Sequence, residues 1–107
     1  MSWSERRKGQ NEVVFRALNE RALEANSRNG GESIDLLCEC SSAICGTKIR
    51  ISRDEYEAVR RDSTTFVVVP GHEDPTIEVV IVRNARFVVV EKEGDAAEIA
   101  DQTDPRL

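Results

Sequence analysis

The 107-residue chain predicts an α+β domain: one long N-terminal helix packed on a mainly antiparallel sheet of about five strands, with one short helix between the second and third strands. Three observations carry this expectation. The chain opens on a long run with apolar residues at three- and four-residue spacing. Short stretches rich in β-branched residues follow, each closed by Gly, Pro, Asn or Asp. No repeat, low-complexity block or long linker interrupts them, so residues 1–107 read as one small domain, with 1–10 and 102–107 expected to be flexible.

The first helix is expected from about Ser4, a suitable cap followed by Glu5, to Asn26. Leu18, Ala22 and Ala25, with Val14 and Phe15 ahead of them, are assigned to its core face; Arg16, Glu20, Arg21 and Glu24 are assigned to solvent. The cluster Arg6-Arg7-Lys8 reads as a solvated helix start or a contact for an acidic partner. Asn26 through Gly31 supplies the stop.

Ile34 to Cys40 reads as the first strand, with Ile34, Leu36, Cys38 and Cys40 on one face. Thr47 to Ile51 reads as the second, the two forming a hairpin whose loop carries Cys45 and Gly46. Ser52-Arg53-Asp54-Glu55 is a capping box, opening a short helix to about Arg61 with Tyr56 and Val59 on one face. Strand three, Phe66 to Val69, ends at Pro70-Gly71, whose turn would present His72. Ile77 to Val82 and Phe87 to Val90 read as strands four and five, joined through Arg83–Arg86. Strands three to five are apolar at both parities, so each is expected to be buried on two faces; one face takes the long helix and the other a helix or a second subunit, making a homodimer through the sheet a live expectation. Asp95 to Asp101 reads as a short helix.

The composition bounds the chemistry. Aromatic residues make up 5% and charged residues 33%, a thin core that a metal cross-link would supplement. A net charge of -5 opposes nucleic-acid binding by bulk electrostatics. No apolar run is long enough to span a bilayer, and no apolar region follows the N-terminal basic residues as it would in a signal peptide. Together with unpaired thiols, this leads us to expect a reducing cytoplasm.

The sharpest signal is chemical. Cys38, Cys40 and Cys45 lie within eight residues, and the single histidine, His72, follows a turn able to aim it back. Three thiolates and one imidazole are a ligand set for structural Zn2+, one ion per chain. The alternatives are buried free cysteines and a disulfide. The disulfide is the poorer of these, because the cysteine count is odd and same-face neighbours two apart bridge with difficulty. The spacing Cys38-x-Cys40-x4-Cys45 resembles the post-SET zinc segment of SET-domain lysine methyltransferases, in which a distant residue completes the site. That resemblance implies zinc with a borrowed ligand; it does not imply methyl transfer, because the chain is too short to hold a SET core. More widely, the charged N-terminal helix, Cys38-Glu39-Cys40…Cys45, Asp54-Glu55-Tyr56-Glu57-Ala58-Val59-Arg60, Pro70-Gly71-His72-Glu73 and Thr103-Asp104-Pro105-Arg106 resemble a group of short bacterial proteins of unknown function. This second resemblance implies that the cysteines and the histidine form one constellation, and implies no activity.

No phosphate-binding loop, His-Glu-x-x-His or deaminase pattern is present. Glu39, Glu73 or Asp74 beside an open zinc would be the alternative, catalytic arrangement, but acidic residues in so acidic a chain are expected mostly at the surface. The leading expectation is a non-enzymatic zinc-binding protein with a protein partner, in which the metal pins the hairpin tip to the His72 turn. A zinc–thiolate redox or metal switch is the first alternative. A nucleic-acid module contacting its ligand through Lys48, Arg50 and Arg53, with Arg60 and Arg61, is the second.

Overall fold

The computed structural model describes residues 3–25 and 33–106. Its elements are α1 (Trp3–Ala25), β1 (Ser33–Leu37), β2 (Lys48–Ser52), α2 (Arg53–Val59), β3 (Thr65–Val68), β4 (Glu78–Arg83), β5 (Val88–Lys92) and α3 (Gly94–Gln102). The α+β class and the three helices match the sequence reading. The single five-stranded sheet does not: β1 and β2 form an antiparallel hairpin of their own, and the other strands form a separate antiparallel sheet in the order β3-β5-β4. The division has a local cause. After Leu37 the chain leaves the hairpin ladder, and Glu39 N–H instead donates to the Val67 carbonyl (2.8 Å), so the segment after β1 crosses to the edge of β3. The expected stop at Asn26–Gly31 lies outside the described residues.

The local signals hold where they concern near neighbours in sequence. Ser52 caps α2 through the expected box, its Oγ accepting from Glu55 N–H (3.1 Å) while Glu55 Oε1 accepts from Ser52 N–H (2.9 Å). The side chains of Ile34, Leu36, Cys38 and Cys40 are all buried, as their shared parity requires. β3 and β5 are buried on both faces, with only Glu91 of β5 partly exposed. β4 departs from expectation: only Glu78 is buried, and Val79 to Arg83 are exposed along the sheet edge.

The face assignment of α1 is overturned. The helix buries Gly9, Glu12, Arg16, Asn19 and Leu23, while Val14 and Leu18 lie in solvent. Polar side chains can face inward here because each finds a partner there. Arg16 donates from Nη1 to the Ser63 carbonyl (2.5 Å) and from Nη2 to the Ala100 carbonyl (2.7 Å), and its guanidinium lies 4.5 Å from the centroid of the Phe66 ring. Lys92 of β5 donates to both Glu12 and Glu78, with its ammonium 4.9 Å from the same ring. Asn19 accepts from Leu37 N–H (2.7 Å) and donates to the Leu37 carbonyl (2.9 Å), completing the end of β1 as a strand would.

The C-terminal segment is tied to the helices by charge. Asp104 accepts from buried Arg60, and Arg106 bridges Glu20 (2.6 Å) and Glu57 (2.7 Å).

Gly9 packs α1 against α3. A methyl group added there would meet Ala96 and Ile99 at 3.5 Å, ordinary van der Waals contact. Gly9→Ala is therefore expected to stabilise the protein by about 0.5–1 kcal/mol, the helix-propensity difference, with the contact intact. A chemical-denaturation midpoint that falls instead would show that α1 and α3 approach more closely than this packing.

Candidate metal centre

The metal candidate lies where the two sheets meet. β1 delivers Cys38 and Cys40 to one face by simple alternation, and Cys38 N–H still donates to the Thr47 carbonyl (2.8 Å), keeping the hairpin closed behind the loop. The loop then folds back on itself, with Cys45 N–H donating to the Ser42 carbonyl (3.3 Å) and Gly46 at φ +63° allowing the exit into β2. From the other side, Val69-Pro70-Gly71-His72 makes the expected tight turn. His72 N–H donates to the Val69 carbonyl (2.9 Å) with Gly71 at φ +93°, a combination that fits a type II turn with proline and glycine at its two central positions.

These two pieces bring together all four residues expected from sequence. One ligand atom from each of Cys38, Cys40, Cys45 and His72 lies within 4.8 Å of the others. His72 Nδ1 is 3.6 Å from Cys38 Sγ and 3.5 Å from Cys45 Sγ. A tetrahedron with Zn–S near 2.3 Å and Zn–N near 2.0–2.1 Å has S···N edges of about 3.5 Å, so the donor set fits that ion in both chemistry and spacing. Cys38 and Cys40 are buried, Cys45 half-buried and His72 exposed, so the site is closed toward the core and reached from the loop side.

The surroundings favour thiolate. Val69 N–H donates to Cys38 Sγ (3.2 Å), a hydrogen bond suited to a sulfur carrying negative charge. Cys40 is pulled down to about 5, chiefly by its hydrogen bond with Cys38, with bonds from Ser42 N–H, Cys45 and His72 adding to the effect against burial. The same Cys38–Cys40 bond, followed by burial, pushes Cys38 up. The Cys38–Cys40 bond thus drives these two sulfurs in opposite directions, and a divalent ion would favour thiolate at each sulfur that ligates it.

Several supporting residues escaped the sequence reading. Glu39 is fully buried between the two cysteines, contrary to the expectation that it was mainly surface. Alternation turns its carboxylate away from the sulfurs, where it accepts from Tyr56 OH (2.5 Å), Asn19 Nδ2 (2.9 Å) and Val67 N–H (3.0 Å). Burial pushes its pKa up, and these three bonds oppose the shift. Glu39 thus ties the Cys38–Cys40 segment to α1, α2 and β3 at once. Asn11 of α1 donates to the Ser41 carbonyl (2.9 Å), and Asp74 accepts from Ser41 Oγ (3.4 Å) and pairs with Lys8 (2.8 Å), holding the loop from outside. The signal for Glu39 was its parity: an acid between two same-face cysteines must point into the opposite layer.

The basic residues expected to offer an interaction surface differ in placement. Lys48 and Arg50 are exposed on β2, with Arg50 3.3 Å from Asp35. Arg53 instead turns to the end of α1, donating to the Leu23 carbonyl (2.6 Å), and Arg60 is buried against Glu20 and Asp104. Among the described residues, no helix is long and apolar enough to cross a membrane.

Comparison with protein-family models, curated proteins and solved structures gives no match. The resemblances to the post-SET segment and to short bacterial proteins therefore rest on the residues alone, and the convergence of three cysteines and one histidine stands on this chain's own geometry.

Proposed function

We propose that this is a non-enzymatic, zinc-binding interaction module of a reducing compartment such as the cytoplasm, in which one structural Zn2+ held by Cys38, Cys40, Cys45 and His72 stiffens the 41–46 loop for a protein partner. The observation that carries this reading is the position of Ile44. It stands 93% exposed at the tip of a loop whose Ser41 and Cys45 are half-buried. A large apolar side chain left in water on a braced loop suits an anchor that a partner's pocket would cover. All the residues around the donor set serve to hold it: Glu39 and Asn19 brace the strand, while Asn11 and Asp74 brace the loop.

The test separates anchoring from folding. Ile44→Asp should keep the metal, the melting temperature and the far-UV spectrum of the parent while losing at least tenfold in affinity for whatever protein the parent binds. Cys45→Ser should lose both metal and affinity. Undiminished affinity in Ile44→Asp would remove the loop tip from the interface and with it this reading.

The half-exposure of Cys45 favours one second reading, a redox switch: an oxidant would reach Cys45 before the buried pair. Zinc retained in full after peroxide treatment would discard it.

A further inference from the structure

The outermost strand of the three-stranded sheet presents a surface that the metal centre does not explain. Among the described residues, β4 pairs with β5 on one side and with no strand on the other. Its four central residues are apolar and in water: Val79 is 44% exposed, Val80 36%, Ile81 49% and Val82 49%. The strand contains no proline, and no charged residue lies between Glu78 and Arg83, so two of the usual guards of a free edge are missing from its centre. The one irregularity is a bulge between Val80 and Val82. It sends Ile81 and Val82 to the same side, where they join Val59, Phe87 and Val89 in lining a groove of about 470 Å³ between α2 and the sheet. Val80 pairs with Val90 and faces the other side. Apolar side chains thus stand on both faces of the edge. A helix laid on one face would leave the other wet, whereas an added strand covers both by continuing the sheet.

The geometry points to a second copy of this chain as the occupant, its β4 pairing antiparallel with this β4 about a two-fold axis near Val80, to give a six-stranded sheet across two molecules. Such an axis sets Val80 against Val80 of the second copy, and Val79 against Ile81 on the groove face, apolar against apolar. The charges at the two ends of the strand select for this arrangement. The C-terminal end carries Arg83 and Arg86, whereas beside its N-terminal end lie Glu91, the partner of Val79, and Glu93, whose N–H donates to the Ile77 carbonyl. Antiparallel self-pairing lays the basic end of each copy along the acidic end of the other, attraction at both ends that offsets the repulsion between two chains of net charge -5. Arg83 and Arg86 already pair with Glu73 and Glu55 in their own chain, so they are held near the edge rather than free to sweep.

The test is the molecular mass of the untagged full chain in solution, measured by sedimentation at about 1 µM and about 100 µM, a range over which a small interface of this class assembles. The expected result is a shift from one chain to two, abolished by Val79→Lys or Ile81→Lys with an unchanged far-UV spectrum, and retained by Leu18→Lys on the outer face of α1. Amide exchange on the parent protein provides a readout that needs no variant: Val79–Val82 should slow at the higher concentration. One-chain mass at about 100 µM would overturn the proposal. So would a dimer that Leu18→Lys dissolves, or slowed exchange confined to other segments.

Discussion

Removing the proposed structural metal is expected to cost the protein on the order of 4 kcal/mol or more, the scale associated with losing such an ion. The reason lies in what the donor set joins. Cys38 and Cys40 sit at the crossing from the hairpin to β3, Cys45 on the loop, and His72 on the turn after β3. Three sulfurs and an imidazole lie within 4.8 Å of one another in a partly buried space. With a cation bound, these three pieces of chain are cross-linked in a domain whose aromatic content is only 5%. Incubation with a strong chelator should therefore lower the thermal midpoint by roughly 15 degrees or more, the shift a loss of this size gives a chain of about 100 residues. Amide protection should be lost first in residues 38–47 and 69–72, and added Zn2+ should restore both. Cys40→Ser should reproduce the chelated state and resist rescue. A chelated protein with unchanged midpoint and unchanged protection would mean that the cysteines are simply core side chains.

Lys92→Met is expected to destabilise the fold by about 3–5 kcal/mol, a large part of the stability of a domain this size. Lys92, Glu12 and Glu78 form a buried cluster, and Lys92 is the cation shared by the two carboxylates. Removing the ammonium leaves both acids buried without their cation, and Glu12 Oε1 has no hydrogen-bond partner among the described residues. The triple variant Glu12→Leu, Glu78→Leu, Lys92→Met should recover most of the loss, since a well-packed apolar replacement avoids the desolvation of charge. The same cluster sets a pH dependence. Burial pushes Glu12 upward from its ordinary 4.5, so the folded protein holds a proton that the unfolded chain releases. Stability should accordingly decline as pH rises from 4.5 into the alkaline range, and in Lys92→Met, which lacks the opposing charge, the decline should extend to higher pH. Urea midpoints across that range check both statements, and a flat profile in the parent protein would mean that Glu12 holds no such proton.

Much of this architecture was legible in the residues, and the boundary of what was legible is physical. Patterns that depend on near neighbours were decisive: the two-residue alternation through Ile34, Leu36, Cys38 and Cys40, the Ser52–Glu55 box and the Pro70-Gly71 turn each encode their own geometry. The donor set was found for the same reason, since one type of side chain at close spacing needs only one distant residue to complete it. The inward face of α1 was misread because periodicity assigns charged residues to solvent. Glu12 and Arg16 are buried through Lys92 and Ala100, partners 80 and 84 residues away that no local pattern reveals. The split into two sheets was hidden likewise, because β-branched runs mark strands without saying which pair. β4 was read as core from its Val-Val-Ile-Val run, which lies instead along an open edge.

The measurement that tests the central claim most directly is the metal content of untagged protein purified without added metal, by elemental mass spectrometry, alongside His72→Ala. The account predicts one zinc per chain in the parent protein and weakened binding in the variant, with none of the three thiols titrating freely until the metal is removed. No metal in the parent, with all three cysteines reacting at once, would contradict it.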